Sequence, residues 1–180
     1  MQCIQPHRAH GLAWLVTLAL CAPAMSQTAA LPVPPPCHAP EQRQFDFWVG
    51  RWDVFSPDGK KAGENSIELI DDACVLLERW RGGGGSSGTS LNSWDKASQQ
   101  WHQHWVDNQG GILRLSGTLE GQSMVLEGRQ AHPRKHGIVQ RHRITWTPLA
   151  DGAVRQWWQS SDDDGATWVT AFDGRYVRQK

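Results

Sequence analysis

Acidic and amide side chains recur beside tryptophans at every second position through much of this sequence. Glu78 stands two residues before Trp80, Ser90 and Asn92 lead to Trp94, Trp101 to Asp107 alternates indole, amide, indole and acid, and Gln156 precedes Trp158. In an extended chain, residues two apart point the same way, so each series is one face of one strand. On the segment holding Glu78, Leu77, Arg79 and Arg81 share the opposite side, and arginines prefer water; Glu78 and Trp80 are therefore expected inside. Polar groups on such a face are costly unless partnered. They can form an internal network that fixes strand register, or they can orient a small ligand whose apolar or aromatic body the indoles cover. We favour the ligand pocket. Its candidate binding residues are Glu78, Trp80, Ser90, Asn92, Trp101, Gln103, Trp105, Asp107, Gln156 and Trp158, with Arg143 as an inward cation for a buried carboxylate. An enzyme in the same cavity would use Glu78 or Asp107 as general base and Arg143 to stabilise negative charge, although no catalytic residue is assigned. A third alternative is a packed interior with the function on the outer surface.

Two other constellations point away from chemistry. His102 and His104, two apart, have the spacing of paired metal ligands or of one haem ligand, but they lie opposite the tryptophans and are expected outside. His132, His136 and His142 complete no defined ligand set in sequence, so neither metal nor cofactor is expected. Ser161-Asp162-Asp163-Asp164-Gly165-Ala166-Thr167-Trp168 resembles the Asp-box, SxDxGxTW, found in sialidase blades. A propeller needs several blade-sized repeats, and one copy is expected to act as a hairpin staple. The chain holds no nucleophile elbow or dinucleotide fingerprint, and Gly82 to Gly85 precede no helix that could cradle a phosphate.

The elements that would carry these faces are short alternating strands. They are expected near Arg51 to Phe55, Gly63 to Ile70, Cys74 to Arg81, Gly88 to Trp94, Gln100 to Asp107, Ile112 to Leu119, Ser123 to Gln130, Ile138 to Thr147, Ala153 to Ser160 and Thr167 to Arg178. Pro57-Asp58-Gly59, Glu120-Gly121, Asp151-Gly152 and Asp164-Gly165 supply the turn chemistry of tight hairpins. Connections this short pair neighbouring strands in sequence order, giving an antiparallel meander. One helical turn or two, from Pro40 to Trp48, would cap it. Of eleven tryptophans, all but Trp14 fall after the leader described next, too much indole surface for an open sheet with one wet face. The expected fold is all-β, a closed antiparallel up-and-down barrel of about ten strands.

Residues 1–26 read as a secretory signal, with Arg8 before an apolar run from Leu12 to Ala22 and small residues near Ala22-Pro23-Ala24 or Ala24-Met25-Ser26. That run, about eleven residues, is too short to span a bilayer, and Leu20 before Cys21 does not fit a lipoprotein signal. Residues 27–39 form a proline-rich leader and residues 40–180 a single domain. A periplasmic or secreted location follows. There Cys37 and Cys74, the pair left after the signal, are expected as a disulfide. With 18 basic and 18 acidic residues and no block of either sign, the chain lacks the basic patch a nucleic-acid partner requires. The partner implied is a small apolar or aromatic molecule.

At Gly50-Arg51-Trp52 a short helix followed by GxW resembles the opening of lipocalins and related barrels, where the tryptophan packs at the closed end near a basic residue of the last strand. By that resemblance Arg178 or Arg175 would take the basic part. The longer run Phe45 to Val54, with Cys74 to Trp80, Gly88 to Leu91, Trp101 to Asp107 and Phe172 to Tyr176, is similar to exported bacterial proteins of unassigned function, the lipocalin-like family catalogued as domain of unknown function 1579. The resemblance covers nearly the whole mature chain and implies a calycin-like barrel outside the cytoplasm. It brings no reaction.

Overall fold

The computed structural model describes residues 36–180. The expected signal, its cleavage positions, Cys21 and most of the proline-rich leader lie outside them. Ten strands follow in order: β1 (Gly50–Phe55), β2 (Lys61–Ile70), β3 (Val75–Gly82), β4 (Ser87–Asp95), β5 (Gln100–Asp107), β6 (Ile112–Glu120), β7 (Ser123–Ala131), β8 (Val139–Pro148), β9 (Val154–Ser161) and β10 (Val169–Arg178). Each pairs antiparallel with its sequence neighbours, and β1 also pairs antiparallel with β10 from Trp52↔Arg178 to Phe55↔Arg175, closing the barrel. Closure leaves no unpaired sheet edge. Among the described residues no helix is long and apolar enough to cross a membrane.

All ten expected strands form, with ends displaced by no more than about two residues. Strands β2 and β10 each start two residues from the expected position, and for β10 the cause lies in the β9–β10 turn. Asp163 accepts hydrogen bonds from the Thr167 backbone N–H at 2.8 Å and from its hydroxyl at 2.6 Å, which holds Thr167 in the turn, and β10 starts at Val169. Ser161 Oγ donates to Asp163 Oδ1 at 2.7 Å and accepts from the Gly165 N–H at 2.8 Å, while Gly165 takes a φ of 93°. These bonds, led by those from Thr167, hold the Asp163 carboxyl at a pKa of about 2. The segment is a staple for one hairpin, as expected; the Trp168 ring lies against Gly165 of the turn, with the guanidinium groups of Arg141 and Arg143 over it at 5.6 and 4.5 Å.

The helical turn or two expected from Pro40 to Trp48 takes the form of two 3₁₀ turns, Pro40–Arg43 and Asp46–Trp48. The break at Phe45 lets two aromatic rings enter the barrel together. Phe45 stacks on Trp48 at 5.0 Å and meets Trp101 and Trp146 edge-on at 5.6 and 5.2 Å. Trp48, Trp52, Trp101 and Trp146 are all fully buried. Arg178 lies over the Trp52 ring at 4.3 Å and donates to the Val49 carbonyl at 3.0 Å, so of the two arginines considered it is Arg178 that covers this tryptophan. Arg175 pairs with Asp151. This aromatic plug fills one end of the barrel. The Cys37–Cys74 disulfide anchors it, tying the segment before the first 3₁₀ turn to the β2–β3 loop, and Arg43 adds a hydrogen bond to the Ala73 carbonyl.

Candidate functional site

Away from the plug the interior is not filled. A cavity of about 320 Å³ is walled by Trp80 of β3, Trp105 of β5, Trp158 of β9 and Phe172 of β10, with Leu113 and Ile144 completing the apolar lining. Ala62 and Ser86 also line it, beside the glycine-rich β3–β4 loop. Trp80 and Phe172 meet edge to face at 5.9 Å and form a corner. Small residues on neighbouring strands let the indoles lie back: a Cβ on Gly88 would run into the Trp105 ring, and one on Gly63 would come within 2.7 Å of Trp80.

The polar side of the cavity presents Glu78, Gln103, Gln156 and Tyr176. Glu78 Oε1 accepts from Asn65 Nδ2 at 2.7 Å, and Oε2 accepts from Ser90 Oγ at 2.6 Å. Behind them Asn92 Nδ2 donates to Ser90 Oγ at 2.8 Å and to the Leu76 carbonyl at 3.1 Å, while Gln103 Nε2 donates to Asn92 Oδ1 at 2.9 Å. Tyr176 donates its hydroxyl proton to Gln156 Oε1. The network crosses β2 through β5 and is continued on β9 and β10. Burial pushes the Glu78 carboxyl above its ordinary pKa, against the opposing effect of the Ser90 and Asn65 bonds. Burial also raises Tyr176, with a further contribution from Glu78. In both cases burial works against the charged form.

No protein-family model matches this chain, and no curated protein matches it.

The candidate residues separate into four groups. Glu78, Trp80, Gln103, Trp105, Gln156 and Trp158 line the cavity together. Ser90 and Asn92 are buried behind Glu78 and act through it. Trp101 belongs to the plug, 1 % exposed, its indole N–H donating to the Glu41 carbonyl at 3.2 Å. Arg143 and Asp107 are not in the site at all. Arg143 sits on the outer surface of β8, its Nε 2.5 Å from Glu127, because the inward positions of that strand are taken by His142, Ile144 and Trp146. Asp107 has the inward parity but ends its strand, and its carboxylate accepts the Gln109 and Gly111 N–H groups at 2.8 and 2.7 Å to close the β5–β6 turn.

Asn65 and Tyr176 are the polar members that sequence reasoning missed. Their signal was alternation: Asn65 lies between Gly63 and Ile67 on one face of β2, and Tyr176 shares its face with Phe172 and Gly174. His142 is a further buried group, its Nδ1 accepting the Trp158 indole N–H at 3.1 Å. That places its proton on Nε2, which has no partner, and burial lowers its pKa. His102 faces outward beside Ser98, and His104 is exposed. Among the described residues no three His, Cys, Asp or Glu side chains are grouped to hold a metal ion.

Proposed function

We propose that this is an exported, lipocalin-like barrel that binds a small ligand with an apolar or aromatic body in its half-open interior. The observation that carries the reading is the uneven filling of the barrel: aromatic rings close one end, while about 320 Å³ remains between Trp80, Trp105, Trp158 and Phe172 beside a hydrogen-bonded carboxyl. Ligand pockets characteristically combine apolar walls with a few convergent polar groups. The lipocalin-like assignment is supported by the GxW tryptophan lying under Arg178 at the plugged end. The signal-like residues 1–26 and the Cys37–Cys74 disulfide favour a periplasmic or secreted location, since such bonds persist in oxidising compartments. The acid–base alternative loses support from the same geometry, because the cation it relies on, Arg143, is bound to Glu127 outside the barrel.

Intrinsic fluorescence tests the reading, since three indoles form the walls. Titrating the purified protein with a panel of lipids, aromatic metabolites and haem is expected to quench or shift the emission for at least one class, with saturation. A flat response across the whole panel would refute ligand binding in this cavity.

A further inference from the structure

Granting that the cavity is a binding site, we infer that its ligand is an organic cation, an ammonium group carried on an apolar or aromatic body and held between the Glu78 carboxylate and the surrounding indole faces.

The first support is the direction of the hydrogen bonds. The Leu76 carbonyl can only accept, so the Asn92 atom 3.1 Å away must be its amide nitrogen. That leaves Asn92 Oδ1 to accept from Gln103, and Asn92 Nδ2 to donate also to Ser90. Ser90 Oγ, already an acceptor, then directs its own proton to Glu78 Oε2. A fixed backbone group thus orients a relay, Gln103 to Asn92 to Ser90 to Glu78, whose last proton points at the carboxyl. Asn65 delivers another donor to the second oxygen. Both oxygens are built to receive, the arrangement suited to a carboxylate.

The second support is the missing counter-charge. None of the side chains lining the cavity is cationic among the described residues. On the strands around the cavity Arg79 pairs outside with Glu68, and Arg141 and Arg143 with Glu127, while Arg81 is exposed on the outer side of β3. A carboxylate buried without a cation is costly, and its raised pKa expresses that cost. A cationic ligand would supply the absent partner.

The third support is the wall chemistry. Trp80, Trp105, Trp158 and Phe172 offer ring faces, whose negative quadrupole attracts a cation and which cover an apolar body equally well. An anionic ligand would meet those same faces and an acid, with no cation to receive it.

The test uses one body with three end groups: phenylbutylamine, phenylbutanol and phenylbutanoate, titrated by fluorescence and calorimetry at neutral pH. The amine is expected to bind about tenfold more tightly than the alcohol, with the carboxylate weakest. Glu78→Gln should remove the advantage of the amine over the alcohol, leaving the two with similar affinities. Equal or tighter binding of the alcohol or carboxylate, or an amine preference that survives Glu78→Gln, overturns the inference while leaving the cavity as a binding site. Silence of all three together with the broader panel removes both readings. Should the variant not fold, the comparison on the unmodified protein decides alone.

Discussion

Glu78 receives two hydrogen bonds and makes none, and glutamine at this position shows what its charge costs. The amide oxygen would keep the bond from Ser90. The new nitrogen would donate to Asn65 Oδ1, a buried atom that now lacks a partner, once the Asn65 side chain turns over. Glu78→Gln should therefore fold. The pH dependence has a definite sign. A carboxyl whose folded pKa is raised binds its proton more tightly in the native state than in the unfolded chain, so stability falls as pH climbs from the unfolded pKa through the folded one. Thermal melts are expected to show Glu78→Gln at least as stable as the parent at neutral pH, by up to about 2 kcal/mol, with the gap closing in acid. A variant that is less stable at neutral pH and gains nothing there relative to acid would contradict the unpaired-charge account. Much of this chemistry was legible from residue spacing alone, because Glu78, Gln103 and Gln156 alternate with indoles on their own strands. Arg143 was misplaced because a buried acid was assumed to need a protein cation. The parity of its neighbours Ile144 and Trp146 was the stronger signal.

At the level of the strand, a glycine beside an indole sets the width of the cavity. Gly88 on β4 leaves room over which the Trp105 ring lies, and the three atoms nearest to a side chain added there all belong to that ring. Gly88→Ala is expected to swing the indole into the cavity, weakening binding of any ligand by about tenfold or more while costing roughly 1–3 kcal/mol of stability from the strain of overpacking. The readouts are a ligand titration and a urea midpoint; unchanged affinity would show that Trp105 does not border the occupied space. Strand positions were predictable because inward residues alternate with outward ones and glycine or aspartate marks nearly every turn. Turn capping was not, since it depends on bonds that pattern does not display. Asp107 has the parity of a cavity residue yet is consumed by its own turn, and Thr167 looks like strand yet is held back by Asp163.

Across the whole barrel, the covalent tie and the aromatic plug act on the same end. The Cys37–Cys74 bridge closes a loop of 37 residues and on the chain-entropy view contributes about 4 kcal/mol. Reduction, or replacement of both cysteines by alanine, should lower the urea midpoint by a corresponding amount. An unaltered midpoint would mean that packing of Phe45 and Trp48 alone secures the plug. Barrel closure itself could be anticipated from the number of short strands and the excess of indole surface, whereas the division of those indoles between plug and wall could not, because alternation reports only inside or outside and not depth along the axis. That division has an evolutionary corollary. The rings that hold the fold and the rings that border the free space scarcely overlap, meeting chiefly at Tyr176. Replacements among Trp80, Trp105, Trp158 and Phe172 can therefore redraw what the chamber accepts without disturbing its foundation, which makes this half of the molecule a natural chassis for new specificities.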